Sequence, residues 1–181
     1  RYTYTFATDV STVECPDPCT DFEGAPLDVS YQPMLTHRLS IQQGNRDIPL
    51  VNMVHDFLPA GGDVVDMREI IATENCNQCH DKITVHGTRF EAQLCVTCHN
   101  PGTWNGDNNY SADMSPMIHR IHAGANLPSV KAGGSLIIRG DDFSDVVYPQ
   151  DIRNCSKCHD GSNPLTPQGH AWMQPSLSAC G

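Results

Sequence analysis

Three short segments of the chain share one pattern: CNQCH at 76–80, CVTCH at 95–99 and CSKCH at 155–159. Each has two cysteines, a two-residue spacer and an adjacent histidine. Three copies fall within 84 residues. A chain that repeats such a pattern is organised around whatever those groups bind.

Two ligand chemistries compete for the pattern. Cys76, Cys79, Cys95 and Cys98 read as C-x2-C-x15-C-x2-C, the spacing of a zinc ribbon. Zinc, however, has no use for a histidine directly after each pair. At nine His in 181 residues, chance would place one after all three pairs in roughly one chain in 8,000. Covalent c-type haem uses every position. The two thiols become thioethers to the vinyl groups, and the spacer lets both sulfurs reach one porphyrin edge. The histidine then lies under the iron as its proximal ligand. On this reading Cys76, Cys79 and His80 hold one haem c. Cys95, Cys98 and His99 hold a second, and Cys155, Cys158 and His159 a third.

The opposite axial site decides the chemistry. An iron with both sites filled moves electrons, and one with an open site can transform a small molecule. Six histidines remain: His37, His55, His86, His119, His122 and His170. His119 and His122 lie in SPMIHRIHAG, which reads as a short helix with Ser115 as N-cap, Pro116 in the first turn and Gly124 as the stop. Residues i and i+3 share a face, so the two rings cannot sit on opposite sides of one iron and must serve different haems. His86 follows an apolar run and precedes Gly87, which suggests an extended segment ending in a turn. These three are the candidate distal ligands. His37 and His55 read as structural or surface residues, and His170 is undecided.

Spare histidines and the lack of a C-x-x-C-K variant argue against the main alternative, a multihaem reductase of a small oxyanion. A formal charge of −10 removes nucleic acid as a partner, because phosphate binding needs a basic face. No apolar run approaches the roughly 18 residues of a membrane span. The opening RYTYTFATDV lacks an initiator Met and a leader, so an internal start is expected, with any targeting segment upstream.

Residues 1–65 read differently from 66–181. RYTYTF and HRLSIQ alternate with the strand period, which predicts a β-rich part, an incomplete barrel or sandwich without haem. Cys15 and Cys19 are expected to form a disulfide, since c-type haem is attached outside the cytosol. From DVVDMREIIATENC onward a short helix is expected to lead into the first motif. Beyond it, loops and short helices would be organised by haem in place of an ordinary core. GDDFSDV (140–146) and DNNYSAD (107–113) could offer oxygen ligands to calcium but match no calcium loop, and solvated loops are the simpler account. Tyr148 is expected to pack. Cys180 stands where a fourth motif would begin.

Together NCNQCHDKITVHG, LCVTCHNPGT, MIHRIHAG and YPQDIRNCSKCHDG, preceded by THRLSIQ and DFLPAGG, resemble the OmcA/MtrC family of outer-membrane decahaem c-type cytochromes. The resemblance implies a multihaem cytochrome c, mostly irregular with short helices around the haems, preceded by the end of a Greek-key β-barrel. It implies bis-His haems and a place on the outer membrane's extracellular face, with the periplasm as alternative. It further implies electron transfer to ferric minerals, metal chelates or flavins, with other outer-membrane cytochromes or a porin–cytochrome complex as partners. Terminal metal reductase activity would be the enzymatic form of that role. A whole member would carry about ten motifs and two barrels; this sequence has three motifs.

Overall fold

A computed structural model describes residues 3–21, 23–45, 47–64, 67–105 and 110–175, without the side chain of Asn105. The strand-period segment HRLSIQQ forms β1 (His37–Gln43), and VNMVHDF forms β2 (Val51–Phe57). They pair antiparallel from His37 opposite Phe57 to Gln43 opposite Val51.

Alternate side chains leave a strand on opposite faces. The even-numbered face carries Arg38, Ser40 and Gln42 on β1, and Asn52, Val54 and Asp56 on β2. This mostly polar face turns toward residues 69–97: Arg38 bonds Glu69, and the Ser40 hydroxyl meets that of Thr97 at 2.8 Å. The odd-numbered face is apolar and open, with Ile41 43% and Met53 48% exposed.

The alternation in RYTYTF does not produce a strand within the described residues 3–6. Tyr4 and Phe6 instead lean on one another edge to face, 5.0 Å apart, and both are exposed. Period-two patterning needs a neighbouring strand to take its hydrogen bonds, and among the described residues none adjoins this segment. Cys15 and Cys19 are joined by a disulfide.

Arg38 makes two 2.7 Å bonds to Asp56 and a further bond to Glu69. All three side chains are nearly buried, 12–16% exposed. Arg38→Met would strand two carboxylates without a counter-charge and is expected to cost about 2 kcal/mol, read by urea unfolding. The Arg38 guanidinium holds the Asp56 carboxyl below the usual carboxylate range. Such a depressed value adds stability above the unfolded pKa, near 4, and that stability is lost as pH falls through the folded pKa. The wild-type advantage over Arg38→Met should therefore shrink in acid.

From residue 67 onward the chain is short elements joined by loops. The helices are α1 (Thr73–His80), α2 (Ala92–Cys95), α3 (Met114–Ala123) and α4 (Pro128–Lys131). Two-residue strands form two small hairpins, β3 (Trp104–Asn105) with β4 (Tyr110–Ser111), and β5 (Ile137–Ile138) with β6 (Asp141–Asp142). The helix expected ahead of the first motif starts only at Thr73, so α1 carries the motif itself. The N-cap of α3 is Asp113, whose carboxylate accepts from the Ser115 N–H at 3.2 Å. It displaces Ser115 from that role because an anion suits the positive end of a helix better than a hydroxyl.

The polypeptide builds little core of its own. Leu127, Leu136 and Ile138 form one buried cluster, flanked by Met117, Ile121 and Phe143. Its accessible surface is 12473 Å², whereas a compact monomer of this mass exposes roughly 8,600 Å². Loops this long need further apolar mass to close around.

Candidate haem centres

Each motif is a helical turn, which brings both thiols to one side. In α1, Cys76 and Cys79 stand at i and i+3 with His80 next along. At the second motif α2 gives way to a turn in which the His99 N–H bonds the Cys95 carbonyl at 2.9 Å. The third repeats this in a 3-10 turn, with the His159 N–H bonding the Cys155 carbonyl at 2.9 Å. None of the six motif cysteines forms a disulfide. Burial pushes the Cys76 thiol up to about 11 and raises Cys95 and Cys158 as well. As free thiols these three would not be thiolate nucleophiles at neutral pH.

The histidines meet in three pairs. His80 faces His122 with ring centres 6.0 Å apart, His86 faces His99 at 6.1 Å, and His119 faces His159 at 6.0 Å. Every pair joins one motif histidine to one candidate distal histidine. The first pair is crossed at 73°, and the others lie near parallel at 12° and 17°. With a metal–imidazole bond of about 2 Å on each side, and a little over an ångström from nitrogen to ring centre, two imidazoles on one ion stand about 6 Å apart. The residues therefore fit bis-His haem.

Hydrogen bonds set the ring tautomers. His99 Nδ1 meets the Ala112 carbonyl at 2.7 Å, His119 Nδ1 that of Ser115 at 2.8 Å, and His122 Nδ1 that of Ile118 at 2.9 Å. A carbonyl oxygen only accepts, so each Nδ1 carries the proton and Nε2 keeps its lone pair for a metal. Burial pushes His122 and His159 below the ordinary imidazole range, and slight desolvation beside Arg89 lowers the exposed His86 too, which favours the neutral ligating form.

The first and third motifs lie against each other. Asn75 in α1 donates to the Cys158 carbonyl at 2.6 Å, and Lys157 bonds Gln78, so two spacer residues meet. The second motif is tied to the first through Thr73, whose hydroxyl donates to Glu91 and accepts from the Ala92 N–H, each at 2.9 Å. Tyr148 does more than pack. Its ring stands edge-on to His122 at 5.6 Å, and the nearby Cys158 sulfur helps to push its phenol up, after desolvation. It thus touches the first and third centres at once, and no motif in the sequence marks it.

The other histidines stay outside these pairs. His37 packs among Tyr31 and Phe57, His55 stacks on Phe57, and the ring of His170 sits over Gly161. Among the described residues no group of three or more His, Cys, Asp or Glu converges as a metal cluster. The four cysteines of a zinc ribbon are therefore not gathered. Asp142 spends its carboxylate on Ser144 in its own turn. Residues 107–109 of the other acidic loop, and Cys180, lie outside the described residues.

Residues 68–179 match the family of outer membrane cytochromes described as MtrC/MtrF-like, domains II/IV. Multiheme cytochrome MtrC of Shewanella baltica (strain OS185) is 24% identical over 164 residues, 84% of this chain and 21% of that protein. The crystal structure of the outer membrane decaheme cytochrome OmcA superposes with a TM-score of 0.64 at 20% identity, over 86% of this chain and 27% of that one. The chain thus spans about a fifth of its curated relative and about a quarter of the solved structure. With the match covering well over half its length, the chain belongs to the MtrC/MtrF-like family of multihaem outer-membrane cytochromes, proteins of electron transport.

Proposed function

We propose that this chain is a three-haem segment of an extracellular electron conduit. Cys76 with Cys79, Cys95 with Cys98, and Cys155 with Cys158 would hold haem c. His80 with His122, His99 with His86, and His159 with His119 would be the axial pairs. The haem supplies a one-electron ferric/ferrous couple. The single observation that carries the reading is the threefold matching of a motif imidazole with an outside imidazole at about 6 Å. Filling both axial sides leaves no place for a substrate, which favours electron transfer over oxyanion reduction. The protein's part is to orient His99, His119 and His122 through their Nδ1 bonds and to keep the first and third centres adjacent through Asn75, Gln78, Lys157 and Tyr148.

Residues 1–65 would be the end of a β-barrel whose other strands cover the apolar face of Ile41 and Met53, and residues 66–181 the haem domain. Terminal acceptors would be ferric minerals, metal chelates or flavins at the extracellular face, reached with other outer-membrane cytochromes or a porin–cytochrome complex. The test is the absorption spectrum of the purified chain, oxidised and dithionite-reduced, with haem quantified. The expected result is three c-type haems per chain, low-spin in both states, with no response to carbon monoxide. Stoichiometric carbon monoxide uptake by the wild type would move the reading to a reductase, and a colourless protein to a zinc module.

A further inference from the structure

His86 sits at the tip of a tight turn. Val85 and Arg89 exchange backbone hydrogen bonds at 2.7 and 2.9 Å, which closes residues 86–88 into a loop. His86 has φ 50° and Gly87 φ 77°. A side chain in the left-handed region costs on the order of 1–2 kcal/mol, and such backbone persists only where its surroundings hold it.

The surroundings here come from the other end of the chain. Gln42 on β1 and Asn52 on β2 stand directly opposite each other on the polar face of the hairpin. The Asn52 amide donates to the Thr88 carbonyl at 3.0 Å and accepts from the Phe90 N–H at 2.9 Å. This is the two-point contact that a neighbouring strand would make. The Gln42 amide accepts from Arg89 Nε at 2.8 Å and donates to the Thr88 hydroxyl. Four hydrogen bonds from two facing amides thus fix residues 88–90, beginning two positions beyond His86. Among the described residues no hydrogen bond of this kind anchors His86, which is exposed.

We propose that the haem-free hairpin sets the axial coordination of the second haem, with Asn52 and Gln42 as positioning residues that keep His86 opposite His99. This rests on His86 being a distal ligand. Its consequence is that one haem of the three answers mechanically to the β-rich part of the chain.

The experiment compares carbon monoxide uptake by the reduced, haem-loaded full chain in four forms: wild type, His86→Ala, Asn52→Leu and Met53→Ala. All are first shown to carry three haems. Met53 neighbours Asn52 but points to the opposite face, so its truncation reports on hairpin stability alone. The expected result is no uptake by wild type or Met53→Ala and one equivalent by His86→Ala. Asn52→Leu should take up at least half of what His86→Ala does, and adding Gln42→Leu should bring it to the full equivalent. An Asn52→Leu protein as inert as wild type, beside a responsive His86→Ala, would overturn the clamp alone. So would equal uptake by Met53→Ala and Asn52→Leu. No uptake by His86→Ala would overturn the ligand assignment beneath it.

Discussion

His122→Ala and His119→Ala are each expected to open one haem, and a different one. The two rings lie one turn apart on α3 and face His80 and His159 respectively. Each single variant should take up one carbon monoxide per chain and the double variant two. Identity is tested by removing attachment sites. Combining His122→Ala with Cys76→Ala and Cys79→Ala deletes the first haem and should abolish uptake. Combining it with Cys155→Ala and Cys158→Ala should leave uptake intact. The reverse pattern is expected for His119→Ala. Uptake by His122→Ala that survives loss of the first haem would show that His122 serves another iron. The electronic change is large, since an iron that loses one of two imidazoles passes from low to high spin and can no longer act as a simple electron relay.

The largest expected loss of stability falls at Gly124. It ends α3 at φ 42°, and a Cβ there would come 2.3 Å from the Val146 carbonyl oxygen and 2.7 Å from the Val146 Cβ. That carbonyl already accepts from the Ala125 N–H at 2.9 Å, so it cannot retreat without breaking a bond. Gly124→Ala combines left-handed strain with a backbone collision and should cost about 3 kcal/mol or more. Gly133 supplies the control, at φ 92° with nothing within 4 Å of its Cβ position. Gly133→Ala should cost only the conformational strain, about 1 kcal/mol. Thermal unfolding should separate them, with Tm lowered by about 10 °C against about 3 °C. Equal shifts would mean that the Val146 contact is soft.

Much of the local structure was legible in the sequence. The motif turns follow from C-x-x-C-H itself. HRLSIQ reads as a strand and is one, and the i,i+3 spacing of His119 and His122 already separates them onto different partners. What the sequence hides is long-range. Whether His122 meets His80 or His159 depends on where segments distant in sequence dock, and no local period encodes that. Asp113 takes the cap from Ser115 because its charge complements the positive end of α3. Gln42 and Asn52 look like ordinary polar positions on a strand, and their role exists only because residues 88–90 run past them. Tyr148 looks like packing until His122 and Cys158 stand on either side of it.

The three ring pairs also order the assembly in time. His86 and His99 lie close along the chain and meet through a tight turn, while His80 must wait for His122 and His159 must come back to His119. Closing a short loop costs less entropy than closing a long one. Under the proposed ligation, a chain folding from its N-terminal end would complete its middle centre first. Its first haem would stay half-ligated until α3 had formed, and its last motif would find its partner already in place. In that interval the first iron would be the one most open to stray ligands and to oxygen.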